Sequence, residues 1–309
     1  MKMLIHDCME EFKNYVQSYC ADATVEYYIL NLHFLERYIL ERYGTLEIDI
    51  NVLQKKDFVN YITYHKNRKV KNTSVRTYAR AAKVFLKYVY NEGYLLTDIT
   101  RNVKYPKADN SAIVPLSRER VELLEDKIMR TCLPERNLCI FHLMLDCGLR
   151  LSEVVNLNYC DIDFDNHLLI LRNCKNNKNR MLPLPGSVEN LLIDYAGSIH
   201  RYPGTYDYGD CVFLENDLKK RISKNAISLM FSKLKVVDPD VYPHLLRHTF
   251  ATSFILGGGS LEILRILLGH DDYNVTKQYL HIATQLQIAN YDIYKLDDVF
   301  FRIYNYNRI

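Results

Sequence analysis

Apolar positions recur at helical spacing through the first hundred residues and predict four helices, near 6–20, 23–42, 55–66 and 73–92. Polar breaks such as "RYGTLEIDIN" and "RKVKNTS" separate them. In the fourth, Val75, Tyr78, Ala82, Phe85 and Val89 form one apolar stripe, and Arg76, Arg80, Lys83 and Lys87 form a basic stripe nearly opposite. Two prolines and a polar cluster in "VKYPKADNSAIVPLS" then interrupt the pattern and mark a linker, placing a boundary near residue 110. Beyond it, Ser117 is positioned to cap a helix running into "VELLEDKIMR", and "ERNLCIFHLMLDCG" predicts another ending at Gly148. In "FDNHLLILRNCKNNKNRMLPLP" two short apolar strands flank an Asn- and Lys-rich turn, the pattern of a β-hairpin. Helical spacing returns afterwards, broken by the glycines at 257–259, with Ser260 placed to cap the next helix. The pattern gives two domains, residues 1–108 and 113–309. The first is all helical; the second is mostly α with a small hairpin sheet.

Composition adds limits. A chain of 309 residues, 48% hydrophobic and 25% charged, is long enough for two ordinary cores. It has no apolar run of membrane-spanning length, and its start, "MKMLIHDCME", carries acids where a signal peptide would be apolar, so a cytoplasmic protein is expected. The eight cysteines include no C-x-x-C pair, and several lie in apolar helical patterns, as reduced buried thiols do. The net charge of +3 is too mild to identify a nucleic-acid partner, but its distribution is informative. No acid lies between Asp57 and Glu92, whereas Lys66, Arg68, Lys69, Lys71, Arg76, Arg80, Lys83 and Lys87 all do. With no acid in that window to pair with, these side chains are candidates for DNA phosphate contact.

Four separated segments carry candidate chemistry. "CGLRLSE" contains Arg150, "NCKNNKNRMLPL" contains Lys175, "HLLRHTFAT" contains His244 and Arg247, and "LLGHDDYNVTKQYLH" contains His270 and Tyr279. In type, order and separation they resemble the motifs of the tyrosine recombinases, the phage-integrase and Xer family of site-specific DNA recombinases. The resemblance covers nearly the whole chain. It implies a helical, SAM-like core-binding domain at the amino terminus, followed by a mixed α/β, mostly α, catalytic domain.

The chemistry explains why these residue types would converge. Attack on a phosphodiester builds negative charge on the non-bridging oxygens, and fixed donors aimed there supply a large part of catalysis. Arginine suits that task, with a permanently charged planar fork that matches phosphate oxygens. His244 and Arg247, three apart, share a face if "HLLRH" is helical. A ring nitrogen of His270, just after a glycine at a helix end, could donate to the same phosphate. Tyr279, on a short helix that Asn274 could cap, needs a positive field or a base, because a tyrosine hydroxyl has a reference pKa of about 10.

The resemblance implies that Tyr279 attacks the scissile phosphate to give a 3′-phosphotyrosyl link and a free 5′-hydroxyl. It further implies that Lys175 protonates the leaving oxygen and that His244 assists proton transfer at the tyrosine. The implied partners are double-stranded DNA at specific recombination sites and further copies of the chain, four on two sites. Neither a cofactor nor a metal is expected: Asp271 and Asp272 diverge on a helix and suit capping better than ligation. The apolar tail, with Tyr291, Ile293, Tyr294, Leu296, Val299, Phe300, Phe301, Ile303 and Tyr304, either folds back on its own domain or docks on a neighbour. Alternative functions are a type IB topoisomerase-like relaxing activity and a non-catalytic DNA-binding protein of the same fold.

Overall fold

The computed structural model describes residues 3–107, 113–174, 178–199, 210–288 and 292–296. The chain divides into two compact units, Met1–Ala112 and Ile113–Ile309.

The first unit consists of α1 (Ile5–Tyr19), α2 (Asp22–Tyr43), α3 (Lys55–Asn67) and α4 (Asn72–Asn91), within a residue or so of the positions that the apolar periodicity predicts. Its core is aromatic. Phe12, Phe58, Tyr61 and Phe85 are fully buried, and Phe12 meets Phe85 edge to face with ring centroids 5.6 Å apart. The α4 stripe of Val75, Ala82, Phe85 and Val89 faces this core. On the same unit Lys66, Lys69, Lys71, Arg80 and Lys87 are exposed. Arg68 departs from the expectation that the basic residues lack acidic partners. It pairs with Glu41 of α2 at 3.0 Å and lies 3.9 Å over the Tyr64 ring. The acid is remote in sequence but adjacent in space. Arg76 is also engaged, donating to the Pro106 carbonyl at 2.8 Å, and Lys83 is half-buried.

The second unit runs α5 (Arg118–Ile128), α6 (Pro134–Leu145), α7 (Leu151–Asn156), β1 (Ile162–Asp163), β2 (Leu168–Cys174), β3 (Lys178–Pro183), α8 (Gly186–Ser198), α9 (Lys224–Leu234), α10 (Pro243–Leu256), α11 (Leu261–Leu268) and α12 (Tyr273–Ile288). The strands form one antiparallel sheet in the order β1-β2-β3. The sequence pattern anticipates the β2–β3 hairpin but not β1, which is too short to show alternation. In β3 the ladder alternates, with Arg180 and Leu182 turned inward and Met181 outward. The helix α10 is the hub of the unit and packs on α6, α11 and α12, with Phe250 and Phe254 fully buried.

Two of the expected caps form, since Ser117 accepts from the Arg120 amide and Ser260 from the Ile263 amide. Two expectations are corrected. The helix α6 ends at Leu145 rather than Gly148, because the chain turns earlier to bring residues 146–150 toward the site. At the start of α12, Asn274 is not the cap: Asp272 Oδ1 accepts from the Asn274 amide at 2.8 Å, and α12 is 16 residues long rather than short.

Part of the tail lies against its own unit. Ile293 pairs with Ser117 as an isolated antiparallel bridge, and the Tyr294 amide donates to the Leu116 carbonyl at 3.0 Å. The Tyr294 hydroxyl donates to Asp146 Oδ1 at 2.9 Å, Ser253 donates to the Tyr294 carbonyl, and Leu296 is buried. Tyr291, Val299, Phe300, Phe301, Ile303 and Tyr304 lie outside the described residues. No helix among the described residues is long and apolar enough to cross a membrane.

Candidate active site

The site is built around the carboxyl end of α11. A helix leaves its last carbonyls without partners inside the helix, and these must find donors elsewhere. The turn at Gly269, left-handed at φ +59°, satisfies the Arg265 and Ile266 carbonyls with the His270 and Gly269 amides. The next three carbonyls each receive an arginine. Arg180 Nε donates to Leu267 at 2.8 Å, Arg247 donates to Leu268, and Arg150 Nη2 donates to Gly269 at 3.0 Å. Residues from β3, α10 and the start of α7 are thereby tied to one helix end, where cations also complement the helix dipole.

Gly148 makes this convergence possible. Its φ is +66°, and a Cβ there would lie 2.5 Å from the Phe250 ring. Its carbonyl accepts a second bond from Arg247, which is only 3% exposed. Burial and the neighbouring Arg150 lower the Arg247 pKa to about 9, so it remains charged at neutral pH.

Glu153 holds the other two arginines. It accepts from both terminal nitrogens of Arg180 at 2.8 Å and from Arg150 Nη1 at 2.9 Å, while its Oε2 caps the Arg150 amide at 2.7 Å. Burial raises the Glu153 pKa, but Arg180 and the Arg150 amide outweigh it and bring the carboxyl to about 2. Glu153 is therefore ionised, and it fixes Arg150 from both backbone and side chain.

His270, directly after Gly269, has both ring nitrogens engaged. Nδ1 is 2.9 Å from Thr276 Oγ1 and Nε2 is 3.4 Å from Arg247 Nη2. A guanidinium can only donate, so Nε2 accepts and the proton sits on Nδ1. Burial, then Arg247 and Arg150, lower the His270 pKa to about 4. The expected phosphate donor is thus a neutral ring whose inward nitrogen carries a lone pair in this state.

Tyr279 is 2% exposed, and its ring stacks at 14° to that of His270, with centroids 6.4 Å apart. Burial raises its pKa, while Arg247 and Arg150 pull it down. Its hydroxyl does not meet His244. Among the described residues it is hydrogen-bonded to His248 Nδ1, at 2.9 Å. His244 lies exposed at the start of α10, its pKa lowered by partial burial and by Arg247 and Arg150.

The structure therefore brings Arg150, Arg247, His270 and Tyr279 together, with His244 at the edge. Lys175 lies outside the described residues. Glu153, Arg180 and His248 join the site although the sequence reading assigned them no role. Two of them had signals: Arg150-x-x-Glu153 has the spacing of a capping box, and His248 lies four residues after His244 on one helix face. Arg180 had none beyond its place in an inward-facing strand position. No group of three His, Cys, Asp or Glu suited to a metal occurs among the described residues.

The family model described as the phage integrase family matches residues 115–285. The chain is 30% identical over 234 residues to the tyrosine recombinase XerC of Chlamydia trachomatis serovar L2, covering 74% of this chain and 72% of that protein. It is 26% identical over 299 residues to the tyrosine recombinase XerD of Listeria monocytogenes, covering 94% and 98%. Among solved structures, the Tn1549 transposon integrase in complex with circular intermediate DNA aligns with a TM-score of 0.70 at 17% identity, covering 93% of this chain and 99% of that one. A lambda integrase dimer bound to a core site aligns with a TM-score of 0.71 at 14% identity, covering 90% and 95%. With its fold, its clustered arginines and histidines and these likenesses together, the chain belongs to the phage integrase family, the tyrosine recombinases.

Proposed function

We propose that the protein is a site-specific recombinase that cleaves DNA with Tyr279, rejoins it to a partner strand, and uses the arginine-lined end of α11 to hold the scissile phosphate. The observation that supports this most is the convergence of Arg150, Arg247 and His270 beside a buried tyrosine hydroxyl, with Arg150 reaching the Gly269 carbonyl across 119 residues of sequence. Both guanidiniums are pre-positioned by carbonyls, so little reorganisation is needed when charge develops on the phosphate. Lys175 protonates the departing 5′-oxygen, and His244 contributes at the exposed edge of the cradle. The covalent link keeps the phosphodiester's bond energy, so rejoining needs no nucleotide cofactor. The exposed basic residues of the first unit, Lys66, Lys69, Lys71, Arg80 and Lys87, contact the DNA backbone. Cleavage in pairs of sites requires several copies of the chain, four in the synapsed complex.

The experiment has two stages. Random duplexes enriched on Tyr279→Phe supply a core site; two copies of it in a plasmid are then incubated with the unaltered chain. Recombinant products are expected. Relaxation of supercoils without recombinants would favour topoisomerase-like activity, and neither product nor covalent adduct would favour a binding protein without catalysis.

A further inference from the structure

We propose that His248 is the group that takes the proton from Tyr279 as it attacks, a role the family resemblance had suggested for His244. The inference rests on the reading of Tyr279 as the nucleophile. The hydroxyl that must lose its proton is 2.9 Å from His248 Nδ1, with ring centroids 5.6 Å apart. That is hydrogen-bond reach for a general base. The competing groups are placed otherwise. His270 stacks on the Tyr279 ring and spends its nitrogens on Thr276 and Arg247. His244 makes no hydrogen bond to Tyr279 among the described residues, and its ring centroid is 6.4 Å from that of His248.

The surroundings suit the role. The charged or titratable groups facing His248 are His244 and Arg247 from α10, His270 from the end of α11 and Tyr279 from α12. Burial, then His244 and Arg247, lower the His248 pKa to about 4, so the ring is neutral and has a lone pair to offer. With these neighbours alone it is too weak a base to ionise a buried tyrosine. A phosphate entering beside Arg247 offsets the positive field and raises the basicity of His248 at the moment the tyrosine is needed. Proton transfer is thereby coupled to occupancy by DNA.

The step balances. The Tyr279 Oη–P bond forms, the P–O5′ bond breaks, the Oη proton passes to His248 Nδ1, and Lys175 gives a proton to O5′. Rejoining reverses all four changes.

The test uses the full chain and a nicked duplex carrying the enriched core site, with adduct formation timed from pH 6 to 9. His248→Asn keeps an acceptor oxygen close to the position of Nδ1 but cannot take up a proton. It should slow adduct formation by about 100- to 10,000-fold at pH 7. Its residual rate should climb about tenfold per pH unit above 7, as the tyrosine ionises without a neighbouring base. The unaltered chain should show no such climb. A duplex with sulfur at the 5′-bridging position should leave the defect in place, because the defect concerns the nucleophile and not the leaving group.

A His248→Asn chain that matches the unaltered one across this range, or is rescued by the sulfur, overturns the proposal. Imidazole nitrogen NMR tests it without a substituted site: an unprotonated Nδ1 on His248 that changes in Tyr279→Phe supports it, and a protonated Nδ1 overturns it. Absence of any Tyr279 adduct from the unaltered chain would instead contradict the recombinase reading itself.

Discussion

At the residue scale, the site depends on one buried carboxylate as much as on its arginines. Glu153 accepts from Arg180 and Arg150 together, so removing its charge leaves Arg180 buried with a diminished counterion. Its pKa is depressed in the fold to about 2, so it adds stability above the ordinary carboxylate range that is lost as pH falls through about 2. The expected size is about 3 kcal/mol between pH 4.5 and 2. Glu153→Gln should lose that pH dependence and start less stable at pH 7, as urea unfolding at several pH values would show. Arg150→Ala should cut cleavage by at least about a hundredfold, the effect of deleting one transition-state donor. Near-normal cleavage would mean that Arg150 does not reach the phosphate. For Lys175→Ala the expected signature is different, namely slow cleavage of an ordinary site and recovery on a 5′-bridging sulfur, since a thiolate leaves without a proton. Equal defects on both substrates would reduce Lys175 to a positioning role and turn attention to Lys178. The four motifs and the family resemblance they carry singled out Arg150, His244, Arg247, His270 and Tyr279 in the sequence, and all of these but His244 meet at the end of α11. His248, Arg180 and Glu153 were not assigned, because their roles depend on which side chains they meet across α10, β3 and α7.

At the element scale, the packing of α10 against the 146–150 turn sets the geometry. Gly148→Ala would drive a methyl group into Phe250 and strain a left-handed backbone, so a loss of about 2 kcal/mol or more in stability is expected, with a larger loss in cleavage. A second junction ties the tail to the ends of α5 and α6. His142 bridges Glu125 at 3.0 Å and Asp146 at 2.7 Å, and Asp146 in turn accepts the Tyr294 hydroxyl. Burial lowers the His142 pKa, but the two carboxylates prevail and raise it to about 9. The stabilisation is therefore complete below about pH 6.5 and is lost as pH rises through about 9. Limited proteolysis after residue 288 should accelerate over that window in the unaltered chain and be fast at every pH in His142→Phe; an unchanged rate would detach the tail from this junction. The four amino-terminal helices and the hairpin were legible because their periodicities are long and regular. The capping role of Asp272 was legible from its type and place, but the strand β1 and the early end of α6 were not, because each is settled by two or three residues and by tertiary contacts rather than by a repeating pattern.

For the whole molecule, the two units divide the work proposed for the chain, with DNA backbone contact from the basic surface of the first and chemistry in the second. Arg80→Glu or Lys87→Glu should weaken DNA binding and flatten its salt dependence, while a free covalent site survives at high enzyme concentration. In the proposed reaction one tyrosine does the chemistry. The chain contains 25 tyrosines, so identifying the DNA-linked one is discriminating. Trapping the adduct on a nicked duplex, digesting it and sequencing the DNA-linked peptide by mass spectrometry tests this directly. The nucleotide is expected on Tyr279, and Tyr279→Phe is expected to bind the duplex without forming an adduct. Attachment to any other tyrosine, or adduct of normal yield from Tyr279→Phe, would contradict it.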